Sequence, residues 1–257
     1  FKISILKNTN SKMWGVLKNL MKVVLVEPDV TEDDVNVLLF GNSGTGNSTV
    51  INSIWNYFKY PIFRAARGNI ETVTHDSEVY SVDEGLKVYK LPIKMDLKTF
   101  NLILIDTPPV GNPRGIEQDN TNMENILGYL ATLKKLHAVC FVFKAHETRV
   151  TKFMEYCLKQ MLTRLDRSAK EDIIFITVYN ETSRYTAEET KHHCLVPLVR
   201  GIRSNPPRIR IGLNNVFALD NEAFRALLKI QEGKRYNRHE LDGFAQSWET
   251  SSKEIRR

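Results

Sequence analysis

Cysteine is scarce in this chain of 257 residues and forms no recognisable pattern. The three cysteines, Cys140, Cys157 and Cys194, are odd in number and far apart, and the sequence contains no CxxC pair. Both a disulfide scaffold and a zinc ribbon are thereby excluded. Because free thiols are typical of reducing compartments, we expect a cytoplasmic protein.

Long apolar runs are also missing. The longest, VVLV at 23–26 and AVCFVF at 138–143, are far shorter than the roughly 18 residues that a membrane span needs. The amino end has neither an initiating methionine nor the small-residue cleavage site of a secretory signal, and we interpret the chain as a fragment. A hydrophobic content of 42% nevertheless indicates a folded globular protein rather than a disordered one.

Acidic side chains are absent from residues 1–26, which carry five lysines. Apolar residues recur there at helical spacing, so we interpret residues 1–34 as a basic, amphipathic amino-terminal extension. We expect its apolar stripe to pack on the chain's own domain. The alternative is a helix lying on a membrane surface, which would make the protein peripheral at membranes. The stripe consists of Met13, Trp14, Leu17, Leu20, Met21 and Val24.

Apolar runs alternate with amphipathic stretches along the rest of the chain, which indicates an α/β fold. Runs this continuous are typical of parallel strands that helices cover on both faces of a sheet. The predicted strands are 36–40, 101–105, 137–143, 172–178 and, more weakly, 215–219. The predicted helices are one beginning at about Asn47 and others over 121–134, 150–165, 188–203, 221–232 and about 238–257.

Glycine is concentrated at the first turn from strand to helix. The segment GNSGTGNS matches the phosphate-binding loop pattern GxxxxGK[ST] at every fixed position except the lysine, where the chain has Asn47. Glycines let the backbone approach phosphate closely, and consecutive N–H groups at a helix N-terminus bind anions. A glycine-rich turn that binds nothing is the alternative, which the position between strand and helix disfavours. The candidate phosphate-binding residues are Gly41, Asn42, Ser43, Gly44, Thr45, Gly46, Asn47, Ser48 and Thr49.

A carboxylate follows the next buried strand. Asp106 ends an apolar run and opens the sequence DTPP. Phosphate-loop folds place a carboxylate at this position near the water shell of a metal ion, and the hydroxyl of Ser48 would contact the same Mg²⁺. The alternative, an aspartate that only caps a turn, is weaker when the loop upstream is considered with it.

Three segments together resemble a known family. VLLFGNSGTGNSTVINSIWNYF, LILIDTPPVGNPRGIEQDNTNMENIL and VFALDNEAFRALL are similar to the G domain of immunity-associated-type, septin-related P-loop GTPases. They are most similar to "G domain-containing" proteins that share RGIEQD and DNEAFR. The likeness extends from about residue 35 to about residue 250.

The resemblance implies a three-layer P-loop NTPase fold with a mostly parallel sheet and helices on both faces. It implies binding of GTP or GDP with Mg²⁺, the metal being contacted by Ser48 and Asp106. A switch threonine would be Thr72 or Thr74, and base recognition would fall near Asn180 and near Asp220–Asn221. Self-association as a homodimer through the nucleotide face is also implied. We divide the chain into the extension 1–34, a G domain at 35–235 and a carboxy-terminal helix at 236–257, which either folds back on the sheet or pairs with another copy.

Three departures from the family pattern bear on activity. Asn47 replaces the lysine that sets a cation against the β- and γ-phosphates, and Asn supplies only a neutral donor. Pro109 replaces the glycine of DTPG and has no N–H to offer to the γ-phosphate. The guanine-reading NKxD sequence is reduced to Asn180 within VYNETS. Lys94 and Lys144, near predicted strand ends, are candidate replacements for the missing lysine.

Two functions follow from these observations. The first is a GTP-binding protein whose hydrolysis is weakened or absent. The second is a catalytically dead pseudo-GTPase that serves as a protein-interaction module, and the sequence leaves open whether the chain is an enzyme. Nucleic acid is an unfavoured partner, because the arginines at 200–210 have no aromatic residue among them to stack bases.

Overall fold

A computed structural model gives the arrangement of most of the chain. It describes residues 34–41, 46–73, 79–83, 85–95, 98–108, 116–144, 172–179, 211–212 and 214–256, together with Lys159 and Leu195. Apart from Asp34, Lys159 and Leu195, the amino-terminal extension and the predicted helices at 150–165 and 188–203 lie outside this set. Among the described helices, none is long and apolar enough to cross a membrane.

Seven strands form one sheet in the order β2-β3-β4-β1-β5-β6-β7. Strand β1 lies in the middle, parallel to both β4 and β5, and the parallel pairing continues through β6 to β7. At the edge opposite β7, β2 pairs antiparallel with β3, and β3 pairs antiparallel with β4. The remaining pairs are parallel, so the sheet is mostly parallel, as the sequence predicts. The strands are β1 (Asp34–Gly41), β2 (Val79–Asp83), β3 (Leu86–Met95), β4 (Lys98–Asp106), β5 (Ala138–Lys144), β6 (Ile173–Tyr179) and β7 (Val216–Asp220).

Helices cover both faces of the sheet. Successive residues of a strand point to opposite faces, so Leu38 and Phe40 of β1 pack in one core cluster and Leu39 packs in the other. Residues Met123 and Ile126 cover the first face, and Val50 and Ile51 cover the second. This is the three-layer α/β arrangement that the sequence predicts. The helices in the described part of the chain are α1 (Asn47–Lys59), α2 (Phe63–Ala66), α3 (Ile116–Thr132), α4 (Glu222–Gln231) and α5 (Arg238–Arg256).

The carboxy-terminal helix α5 folds back on the domain. It packs against α1, α4 and β7, and the Trp248 ring is fully buried. The ring lies edge-on to Tyr57 with centroids 4.7 Å apart, and its indole N–H donates to the Tyr60 carbonyl at 2.8 Å. A third core cluster therefore joins α1, α2, α4 and α5.

Strands β2 and β3 are the part of the sheet that the apolar-run pattern did not predict. In β3, buried residues alternate with exposed ones: Leu86 is buried, Lys87 exposed and Val88 buried. Pro92 stands inside the strand, where proline argues against a central position. It is tolerated because the described pairing with β2 ends at Tyr89, so that β3 pairs only with β4 at Pro92.

Candidate functional site

The loop pattern falls at the junction of β1 and α1, in the middle of the sheet. Gly41 is the last residue of β1, and Gly46 caps α1 with its carbonyl accepting the Val50 N–H at 3.0 Å. Gly46 has φ 84° and ψ 39°, a left-handed backbone that costs other residues roughly 1–2 kcal/mol. The glycine of the pattern is therefore required at this turn. The four loop residues between the two, Asn42, Ser43, Gly44 and Thr45, lie outside the described residues.

The residue that replaces the loop lysine binds the predicted metal carboxylate. Asn47 is the first residue of α1, and its side-chain Nδ2 donates a hydrogen bond to Asp106 Oδ1 at 3.0 Å. Asp106 ends β4, directly beside Leu39 of β1. The parallel pairing of β1 and β4 brings the two residues together, although 59 positions separate them in the sequence.

Burial raises the pKa of Asp106 from its ordinary 3.8 to about 6. The hydrogen bond from Asn47 and the charge of Lys87, which faces Asp106 in the antiparallel register of β3 and β4, act in the opposite direction. Desolvation dominates because the carboxylate stands where the sheet is covered by α1. Asp106 is therefore a carboxyl group whose charged form lacks a full set of partners.

The side chains at the junction offer oxygen ligands, which are the ligands that Mg²⁺ prefers. Ser48 is exposed on the first turn of α1, and Thr49 beside it is half-buried. In the described part of the chain, no group of three or more His, Cys, Asp or Glu residues is placed to hold a metal ion. The Ser48 hydroxyl and the Asp106 carboxylate therefore fit a metal ion whose other oxygen ligands come from phosphate and water. Mg²⁺ is commonly bound in this way.

Hydrogen bonds and a close contact fix the segment that follows Asp106. The backbone N–H and the hydroxyl of the buried Thr107 both donate to the Leu39 carbonyl, at 3.2 and 2.9 Å. Pro108 is buried under the turn between β2 and β3, where Gly85 has φ 101°. A Cβ at Gly85 would stand 2.9 Å from Pro108 Cβ, so glycine is required there too. Pro109, which follows, lies outside the described residues.

Asp220, predicted at the base-recognition end of β7, has both carboxylate oxygens bonded to protein donors. Oδ1 accepts the Glu222 N–H at 2.8 Å, and Oδ2 accepts the Ser247 hydroxyl. Its backbone N–H donates to Ser251 Oγ, and its carbonyl accepts the Tyr57 hydroxyl. In this structure Asp220 joins α4, α5 and α1, and its part in base recognition stays a prediction.

Asn221, the next residue, has a buried amide to which no described residue is hydrogen-bonded. The residue is 1% exposed, yet neither Nδ2 nor Oδ1 has a hydrogen-bond partner among the residues that the structure describes. A buried polar group left in this condition costs about 1–3 kcal/mol and calls for an explanation. A ligand that supplies one donor and one acceptor at this end of β7 would form hydrogen bonds with both atoms of the Asn221 amide.

The predicted switch and base residues are only partly described. Thr72 is half-buried, whereas Thr74 and Asn180 lie outside the described residues. Of the candidate replacements for the loop lysine, Lys94 pairs with Thr99 near the start of β4 and is therefore at the wrong end of the sheet. Lys144 ends β5, at the same edge as the junction. Lys87, whose charge acts on Asp106, was not predicted as a site residue, because no sequence pattern assigned its segment to a strand.

Solved structures and a curated protein resemble this chain. Toc33 from Arabidopsis thaliana in complex with Mg²⁺ and GMPPNP aligns with a TM-score of 0.48 and 13% identity, over 95% of this chain and 89% of that one. Its complex with GDP and Mg²⁺ aligns with a TM-score of 0.47 and 15% identity, over 82% and 76%. GTP-binding protein A of Dictyostelium discoideum is 30% identical over 135 residues, 52% of this chain. The aligned part spans about a quarter (25%) of that relative's length.

A family model matches residues 36–181, more than half of the chain. The matched span begins in β1 and includes the glycine loop, α1 and Asp106. The chain therefore belongs to the GTPase family described as "50S ribosome-binding GTPase".

Proposed function

We propose that this protein binds GTP and GDP together with Mg²⁺ at the junction of β1 and α1, and that it hydrolyses GTP weakly or not at all. The observation that carries the proposal is the left-handed Gly46 at the head of α1, with Asn47 bonded to Asp106 beside it. Gly46 has the left-handed backbone that the glycine of a phosphate-binding loop allows. The next residue, Asn47, replaces the lysine whose charge such loops use.

Different groups at the junction of β1 and α1 bind the phosphates and the metal ion. Backbone N–H groups at the start of α1 hold phosphate through the helix dipole. The Ser48 hydroxyl and the Asp106 carboxylate hold Mg²⁺, which neutralises phosphate charge when bound. Contact of Asp106 with Mg²⁺ requires the ionised carboxylate. Because the pKa of Asp106 is about 6, this carboxylate is mostly ionised at neutral pH.

The orphan amide of Asn221 supports a base site at the carboxyl end of β7. Its carboxamide offers one donor and one acceptor, which match the N1–H and O6 edge of guanine. An amide can turn over to match adenine as well, unlike the carboxylate of NKxD. We therefore propose that Asn221 contacts the base, and that any preference for guanine over adenine is modest.

The replacement of lysine by Asn47 should weaken nucleotide binding, and hydrolysis with it. A charge-assisted hydrogen bond contributes about 1.5–3 kcal/mol against about 1 for a neutral one, so nucleotide affinity should fall by tenfold or more. The Asn47 amide is also engaged with Asp106, and it must rotate away to reach a phosphate. Pro109 removes a further N–H donor.

The bond between Asn47 and Asp106 also favours a second candidate function. It gives each of the two side chains a partner without a nucleotide, as expected of a pseudo-GTPase that acts as a protein-interaction module. The two functions differ in whether nucleotide binds at all.

Titration with a fluorescent GTP analogue, with and without Mg²⁺ and competed by GDP and ATP, distinguishes the two. We expect micromolar binding that requires Mg²⁺ and is displaced by GDP. The absence of any fluorescence or heat change at millimolar nucleotide would reject binding and leave the interaction module. A turnover assay on the pair of substitutions N47K and P109G then tests hydrolysis. A gain over the unmodified protein is expected, and turnover by the unmodified protein at least as fast as the double variant would contradict the loss.

The narrower parts of the proposal rest on the resemblance of RGIEQD and DNEAFR to the immunity-associated, septin-related branch. They are membership of that branch and homodimerisation through the nucleotide face, whereas the proposed cytoplasmic location rests on the few, widely separated cysteines. Light scattering in the presence of GDP and of a non-hydrolysable GTP analogue tests the second. A monomer in every nucleotide state would contradict it.

A further inference from the structure

Helix α4 is held against α1 by buried contacts. The Tyr57 hydroxyl of α1 donates to the Asp220 carbonyl at 2.9 Å, just before α4 begins. Tyr57 packs in one core cluster with Phe224 and Leu227, each of them at most 1% exposed. Residues on the other side of α4 are thereby set at a defined place relative to the head of α1.

Arg225 is the residue that this packing brings to the loop. A Cβ built on Gly46 would stand 3.9 Å from Arg225 Nη2 and 3.7 Å from Thr49 Oγ1. The guanidinium therefore faces the bare Cα of Gly46, at the turn where the backbone is left-handed. The family pattern requires glycine at this position because phosphate approaches the backbone closely there.

The charge of Arg225 is available to a ligand. Its side chain is 45% exposed, and its ion pair with Glu222 has an N–O distance of 3.9 Å, at the outer limit for such contacts. An exposed pair of this kind contributes little, so exchanging it for a phosphate costs little. Lys87 is differently placed, because its charge acts on Asp106.

We propose, building on the proposed nucleotide binding, that Arg225 supplies the phosphates with the positive charge that Asn47 no longer provides. A guanidinium presents two parallel N–H donors to phosphate oxygens and stays charged at any physiological pH. It approaches from α4 rather than from α1, on the side of Gly46 and Thr49. The replacement of the lysine is thus compensated from a different element of the fold.

The test is Mg²⁺-dependent binding of fluorescent GDP to the variant R225Q. The matched control is K229Q, which removes one charge from an exposed position one turn along the same helix. We expect the dissociation constant to rise about tenfold in R225Q and less than twofold in K229Q. The salt dependence of binding should become shallower only in R225Q. Thermal unfolding of the nucleotide-free protein should be the same in both.

Restoring the loop lysine gives a second and independent readout. If Arg225 compensates for Asn47, then R225Q should weaken binding much less when N47K is already present. Binding by the unmodified protein with an unchanged dissociation constant in R225Q would overturn the role of Arg225 and leave the proposed function standing. Failure of the unmodified protein to bind any nucleotide would overturn both.

Discussion

The side chain of Asn56 holds the backbone of Glu71 through two hydrogen bonds. Its Nδ2 donates to the Glu71 carbonyl at 2.7 Å, and its Oδ1 accepts the Glu71 N–H at 3.0 Å. The Glu71 carboxylate in turn accepts from Trp55 Nε1 at 2.8 Å and from Lys59. Helix α1 thereby anchors the chain at the residue before Thr72, where the predicted switch begins.

The first prediction concerns this anchor. N56A should lower the free energy of unfolding by about 2–4 kcal/mol, since two backbone groups lose their partners. Urea unfolding measures the change.

The control for N56A is E71Q, which leaves both backbone hydrogen bonds in place. It removes an exposed ion pair with Lys59 and should cost at most about 1 kcal/mol. A similar cost for the two variants would mean that the side-chain contacts of Glu71, and not Asn56, hold the segment.

Asn221 should show opposite effects on stability and on binding. N221L replaces an unsatisfied buried amide with an apolar side chain of similar size, and we expect the nucleotide-free protein to gain about 1–2 kcal/mol. Nucleotide affinity should fall by about tenfold, since the base loses a donor and an acceptor. Differential scanning fluorimetry with and without GDP measures both effects. A gain in stability with unchanged affinity would remove Asn221 from the base site.

Gly85 and Gly233 form a matched pair for testing the contact with Pro108. Both have positive φ, 101° and 94°, but of the two only Gly85 has atoms of described residues within 4 Å of an added Cβ. G233A should cost about 1 kcal/mol from backbone strain alone. G85A should cost about 2–4 kcal/mol, because Pro108 must also move. Equal costs in chemical unfolding would show that the turn yields without disturbing Pro108.

His137 should make the protein sensitive to mild acid. Its Nδ1 accepts the Asn36 N–H at 2.9 Å, which requires an unprotonated nitrogen. Burial lowers the pKa of His137 below its ordinary 6.5, with Lys135 adding to the effect and Asp172 opposing it. The unfolded state then binds the proton more readily. The stability that His137 contributes is therefore complete above pH 6.5 and is lost as the pH falls through the lowered value.

The variant H137N isolates this contribution, because asparagine keeps an acceptor near the Nδ1 position and does not titrate. The melting temperature of the unmodified protein should fall relative to that of H137N between about pH 7.5 and about pH 5. Parallel curves for the two proteins would assign the acid sensitivity to other groups.

Strands and helices with a strong local pattern could be predicted from the sequence. The runs NVLLF, NLILI and AVCFVF are buried in β1, β4 and β5, because a strand covered on both faces needs apolar residues on both sides. Strands β2 and β3 were not predicted, since β3 has lysines among its apolar residues and Pro92 in its interior, and β2 (VYSVD) has no continuous apolar run. Helix α3 begins at Ile116, five residues before the predicted start.

The sequence by itself determined that this protein is a P-loop GTPase and that its chain turns at Gly46, whereas its place in the immunity-associated, septin-related branch stays a proposal. A phosphate-binding loop consists of adjacent residues, and the left-handed backbone that it needs is available to glycine at little cost, so both can be read locally. Only the tertiary structure decided which side chains surround that turn. The bond from Asn47 to Asp106, the approach of Arg225 to Gly46 and the unsatisfied amide of Asn221 all depend on elements far apart in the chain. These elements meet because burial of the apolar faces of α1, α4 and the sheet sets their relative positions.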